Sequence, residues 1–166
     1  MFWKLNQRAI RFAQMLGRQP AAKAVVKGSD AYPELHGEVL FYDDIGGTLV
    51  MAQMFGLPKA EKPCDPQVFA FHIHDGESCT GNESDPFADS GMHYNPQDCP
   101  HPAHAGDMPP LFGNDGYAYM VFYTAHFMVS DVIGRTVIVH SKPDDFKTQP
   151  SGDAGTKMAC GQIVSV

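Results

Sequence analysis

After Pro20 the chain breaks into short runs of apolar, β-branched and aromatic residues, most of them divided by turn-forming residues such as glycine, proline, aspartate and asparagine. This punctuation constrains the fold most, because such runs suit strands joined by turns. The runs are AAKAVVKG (21–28), HGEVLFYD (36–43), GTLVMAQMF (47–55), VFAFHIH (68–74), YAYMVFYT (117–124), AHFMVSD (125–131), GRTVIVH (134–140) and ACGQIVSV (159–166). Eight strands without a helical pattern among them predict an all-β domain over 21–166, an antiparallel sandwich or barrel. A chain of 166 residues suits one such domain with a sizeable core.

Residues 1–20 follow another period. Phe2, Leu5, Ala9, Phe12 and Leu16 recur at helical spacing, and Lys4, Arg8 and Arg11 fall on a different face. The segment predicts an amphipathic helix ended near Gly17. Such an extension packs on the body or a partner, or rests its basic face on an anionic membrane surface. It lacks the apolar core and small-residue cleavage site of a signal peptide. No apolar run in the chain approaches transmembrane length. The formal charge is −7, and with Arg18 the first twenty residues hold four bases and no acid, leaving −11 on the rest. That balance excludes a general nucleic-acid binder, which carries a basic stripe.

The run 68–74 ends in FHIH. Alternation along a strand puts Phe69, Phe71 and Ile73 on one face and His72 and His74 on the other. The bulky face is the core face, so the two imidazoles stand side by side away from the core. GRTVIVH likewise ends on His140, opposite Val137 and Val139. The gap from 75 to 116 is too long for an idle loop. Within it, MHYNPQDCPHPAHAGD packs His93, His101, His104 and Asp107 into fifteen residues. Metal and a disulfide are the candidates for ordering it. His36 and His126 read as ordinary surface or core histidines.

The blocks FHIHDG, GMHYNP, HAGDMPPL, IGRTVIVHSKPDD and GDAGTKMACGQI occur in that order. On these blocks the chain, from about residue 21 to 166, resembles the copper/zinc superoxide dismutases. The resemblance implies an eight-stranded, antiparallel Greek-key barrel or sandwich, immunoglobulin-like, with long metal-binding loops. It implies copper on His72, His74, His93 and His140, and zinc on His93, His101, His104 and Asp107, with His93 bridging the two. Four imidazoles suit Cu(II), and three histidines with a carboxylate close a zinc site. Asp144 is implied as the carboxylate behind the ligands, hydrogen-bonded to one from each site. Cys79 and Cys160 are implied as a disulfide. Cys64 and Cys99 have no family role and sit among prolines in surface loops, either as a second disulfide or as free thiols.

The implied reaction is disproportionation of superoxide to oxygen and hydrogen peroxide, an antioxidant oxidoreductase activity with His93 carrying a proton. The other reading is a non-catalytic copper- and zinc-binding module of the same fold, for storage or buffering. Two departures stand out. The segment from His101 to His104 is shorter than the family commonly has, and Lys157 stands where the family usually has an arginine above the copper. Lys157 is therefore expected to supply a positive charge near the copper, with His93 as the other catalytic residue. A cupin-type jelly roll also begins with H-x-H, but Glu77 follows His74 too closely for its glutamate. The family is mostly dimeric, so the resemblance admits a homodimer, but no residue pattern identifies an interface. The compartment expected from Met1 without an export signal is cytoplasmic, while the disulfide favours the periplasm or the exterior.

Overall fold

The computed structural model describes residues 2–166, with side chains at residue 7 and from 9 onward. The side chains of Phe2, Lys4, Leu5 and Arg8, part of the expected amphipathic pattern, lie outside the described residues. The elements run α1 (Phe2–Leu16), β1 (Ala22–Gly28), β2 (His36–Asp44), β3 (Gly47–Phe55), β4 (Val68–Phe69), β5 (Phe71–His74), β6 (Leu111–Phe112), β7 (Tyr117–Thr124), α2 (Val129–Val132), β8 (Thr136–His140) and β9 (Lys157–Ser165). Seven strands form one antiparallel sheet in the order β5-β8-β9-β1-β2-β3-β7, and β4 pairs with β6. Since β6 lies against β7 and β4 continues into β5, the small pair joins the two ends of the large sheet and closes the barrel. Non-consecutive neighbours such as β3 with β7 and β1 with β9 give the Greek-key crossings.

Alternation builds the core. In β1, Ala22, Ala24 and Val26 are fully buried while Lys23, Val25 and Lys27 face outward. In β3 both faces are buried, which explains its near-continuous apolar run. Val50, Ala52 and Met54 enter the barrel core. Leu49 and Met51 on the other face pack with Tyr42 under Met15, Phe12 and Leu16 of α1. The Phe12 ring stacks on Tyr123 at 5.9 Å between centroids. Arg11 pairs with the buried carboxylate of Asp44. The extension thus packs on the body through its apolar side. Among the described residues no helix is long and apolar enough to cross a membrane.

Two expected strands differ. The run 68–74 divides at Ala70, whose N–H donates to Lys142 O at 2.8 Å and whose carbonyl accepts from His140 N at 2.9 Å. The run therefore changes partners, from β6 before Ala70 to β8 after it. Residues 125–131 form no strand. The backbone N–H of His126 bonds Thr124 Oγ1, and Asp131 accepts from Met128 N–H to cap α2. Phe127, Val129 and Val132 are buried against the core, which gives the segment its alternating look. With β4 and β5 counted as one broken strand, Leu111–Phe112 takes the eighth place, so the number of strands in the barrel stands while one member changes.

β5 is an edge strand of the large sheet, and the long loop covers that edge. Asp75 N–H donates to Met92 O and Tyr94 N–H to Ile73 O, both at 2.8 Å; Ile73 N–H donates to Gly106 O at 2.9 Å. A β-carbon on Gly106 would stand 2.3 Å from Ile73 O, so only glycine lets the loop backbone approach this closely. Isolated bridges then set His93 beside His74 and Asp107 beside His72.

Candidate metal centre

Phe71 and Ile73 point into the core, so β5 must send His72 and His74 to the opposite face, under the loop. β8 repeats the arrangement with Val137 and Val139 inside and His140 outside. The loop brings His93, and these four buried histidines place one ring nitrogen each within 4.8 Å of one another. A second group, His93, His101, His104 and Asp107, meets the same limit. His93 belongs to both. All of the expected ligands are therefore brought together, and His36 and His126 stay outside, both exposed.

On three of the rings a hydrogen bond selects one nitrogen. His72 Nε2–H and His101 Nε2–H donate to the two oxygens of Asp144, each at 2.8 Å. His74 Nδ1–H donates to Gly91 O at 2.9 Å. That leaves His72 Nδ1 and His74 Nε2 turned to the first cluster. His72 Nδ1 and His93 Nε2 are buried without a hydrogen-bond partner. Such orphaned nitrogens are costly unless something else fills the space between them. His74 Nε2 and His140 Nε2 lie 3.3 Å apart, close for two unprotonated nitrogens. In the second cluster three Nδ1 atoms converge on the Asp107 carboxylate, from His93 at 2.8 Å, His101 at 3.0 Å and His104 at 3.4 Å. The His104 backbone N–H also donates to Asp107, at 3.0 Å.

Charge follows from burial. Desolvation lowers His72 and His104, holds His74 well below the ordinary histidine range and brings His140 to about 3, helped there by the neighbouring imidazoles of His72 and His93. These rings are neutral at pH 7, with lone pairs available to a cation. Burial pushes Asp144 upward, but hydrogen bonds from His72 and His101 outweigh it and hold the carboxyl at about 2. Asp107 is lowered in the same manner: burial opposes, and the bond from His93 prevails. Neutral imidazoles beside two ionised carboxylates form a donor set for divalent metal.

The surroundings hold this set in place. Cys79 and Cys160 form a disulfide across 81 residues, joining the start of the long loop to β9. Cys64 is exposed, and both it and Cys99 are free thiols. Lys157 reaches the cleft lined by His74, His93 and His140, as expected. Its charge is not free, however: Nζ pairs with Asp85 Oδ2 at 2.9 Å and donates to Phe87 O at 3.0 Å. Asp85 was not foreseen, since 72 residues separate it from its partner and no local pattern links them. Two further features carry no sequence signal: the Gly91 carbonyl that orients His74, and Gly152, packed against Asp144.

A closed antiparallel barrel carrying two four-residue clusters with one shared imidazole defines a protein built for a pair of metal ions. The sequence model of copper/zinc superoxide dismutase (SODC) matches residues 35–163, and the chain belongs to that family. It is 27% identical to the Superoxide dismutase [Cu-Zn] of Deinococcus radiodurans, over 89% of this chain and 86% of that protein. It is 30% identical to Superoxide dismutase [Cu-Zn] 2 of Aquifex aeolicus, over 78% of this chain and 80% of that one. The solved structure of Cu/Zn superoxide dismutase from Brucella abortus superposes with a TM-score of 0.70, covering 85% of this chain and 98% of that chain at 24% identity, which supports the fold.

Proposed function

We propose that this protein disproportionates superoxide to oxygen and hydrogen peroxide, with His72, His74, His93 and His140 holding copper and His93, His101, His104 and Asp107 holding zinc. The observation that carries this reading is the double membership of His93. Its Nδ1 faces Asp107 and His104, and its Nε2 is buried without a partner. When bound, copper supplies the one-electron exchange that no side chain here can, and zinc supplies a fixed, redox-inert charge.

The remaining work belongs to the chain. When its Nε2 is not engaged as a ligand, His93 would carry a proton there and pass it to the reduced oxygen product, with the second proton coming from water, while its Nδ1 stays against Asp107 and keeps the ring in position. Two superoxide ions and two protons then give one oxygen and one hydrogen peroxide. Asp144 orients His72 and His101 by accepting their Nε2 protons. Gly91 O does the same for His74. Lys157, paired with Asp85, has one N–H left to offer an arriving anion. A cleft of about 340 Å³ reaches His74, His93 and His140, giving a small anion access that a storage site does not need.

The test is metal analysis of protein purified without added metal, followed by stopped-flow superoxide decay. The expected result is one copper and one zinc per chain with decay far above the spontaneous rate. A chain that holds both metals and leaves the spontaneous rate unchanged is a binding module.

A further inference from the structure

Among the described residues lining the cleft, apart from the histidines of the metal clusters, only Asp85 and Lys157 carry charge. Their mutual pair leaves its lining formally neutral. An ammonium has three N–H donors. Two of those on Lys157 are used within the protein, one on Asp85 Oδ2 and one on Phe87 O, so one is left for an entering anion. The Lys157 side chain is 15% exposed and that of Asp85 37%, so water screens the pair incompletely.

Asp85 is no wandering surface carboxylate. Its Oδ1 accepts from Phe87 N–H at 3.0 Å, and its own N–H donates to Asn82 Oδ1 at 3.1 Å. Its carbonyl accepts from Asn82 N–H at 2.9 Å and Ala88 N–H at 3.1 Å. Phe87 next to this turn is buried against Ile138 and Cys160, and the chain is tied down at Cys79. The carboxylate is thus presented to Lys157 by a built turn.

We infer that Asp85 is a specificity-determining residue that acts through Lys157: it cancels the cleft's fixed positive charge and so sets how readily a small monoanion enters. The inference rests on the reading of the cleft as the superoxide site. Asp85→Asn removes the charge and keeps the acceptor for Phe87 N–H, so the turn survives. Asp85→Ser, also uncharged, serves as a second variant.

The probe is azide, a small inorganic monoanion, titrated into the metal-loaded protein and followed by the visible absorption of copper. Either variant is expected to tighten azide roughly fivefold, the effect of one partly screened charge at such range. The superoxide rate constant should rise with it and fall more steeply with added sodium chloride. In a Lys157→Met background, Asp85→Asn should keep only the smaller gain from losing its own repulsive charge, because no lysine N–H is left to be released. Equal azide affinity in parent and both variants overturns the inference, and so does an undiminished gain without Lys157. If the parent leaves superoxide untouched, the dismutase reading fails, and the azide titrations still decide the role of Asp85.

Discussion

A β-carbon on Gly152 would stand 2.0 Å from Asp144 Oδ1 and 2.7 Å from His101 Nε2, and φ there is +68°. Alanine in that left-handed conformation costs about 1–2 kcal/mol before any clash is counted. Gly152→Ala should also push Asp144 off His101 and loosen zinc more than copper. Competition with a chromophoric zinc chelator measures this; unchanged zinc affinity would mean the loop simply yields. His93→Ala should weaken both metals together, since the ring serves both clusters, and loss of copper alone would show the sharing to be misread. Burial also predicts a pH response of the metal-free chain. His140 lies at about 3 in the fold against 6.5 in its absence. Above pH 6.5 both forms are neutral and the shift contributes nothing. Below it only the unfolded ring gains a proton, so stability falls, by about 2 kcal/mol at pH 5 from this residue alone. Urea midpoints for metal-free protein at pH 7 and pH 5 read the loss directly.

At the scale of elements, the long loop is ordered in two ways. Residues 92–94 and 105–107 bond β5 through the backbone, while the stretch between them depends on its side chains. Asp107→Ala should therefore expose 95–104 to protease and leave the flanking stretches resistant; cleavage spread evenly over 75–116 would contradict this. The backbone half was not legible in the sequence, because edge-covering bonds need no residue type except glycine at Gly106. The strands β1, β2 and β7 read cleanly as apolar, β-branched and aromatic runs, and β1 also alternates in burial from face to face. The expected strand at 125–131 misled because Phe127 and Val129 are buried two apart, as in a strand, while Asp131 caps a helix instead. Local density marks His72 with His74, and His93 through Asp107, as candidate ligands; the division into two sets, and the place of isolated His140, come from the resemblance. The Asp85–Lys157 pair was not legible, because it joins distant segments with no signature of its own.

At the scale of the molecule, the Cys79–Cys160 bridge closes a loop of 81 residues that includes the whole covering segment. In the chain-entropy account such a closure stabilises by roughly 4–5 kcal/mol. Cys79→Ser with Cys160→Ser should lower the urea stability of metal-free protein by an amount of that order; a loss well below 2 kcal/mol would mean that the unfolded chain is already compact. The loop and bridge also bear on how copies of the chain behave toward each other. Until residues 92–107 fold back, β5 presents a bare row of N–H and C=O groups, and such a row templates pairing with any other chain in the same condition. The segment bearing four of the seven candidate ligands is the segment that hides it. The fold that gathers the ligands and the fold that hides the edge are then one event, and because the covering bonds are backbone bonds, the protection persists in a folded molecule that has lost its metal.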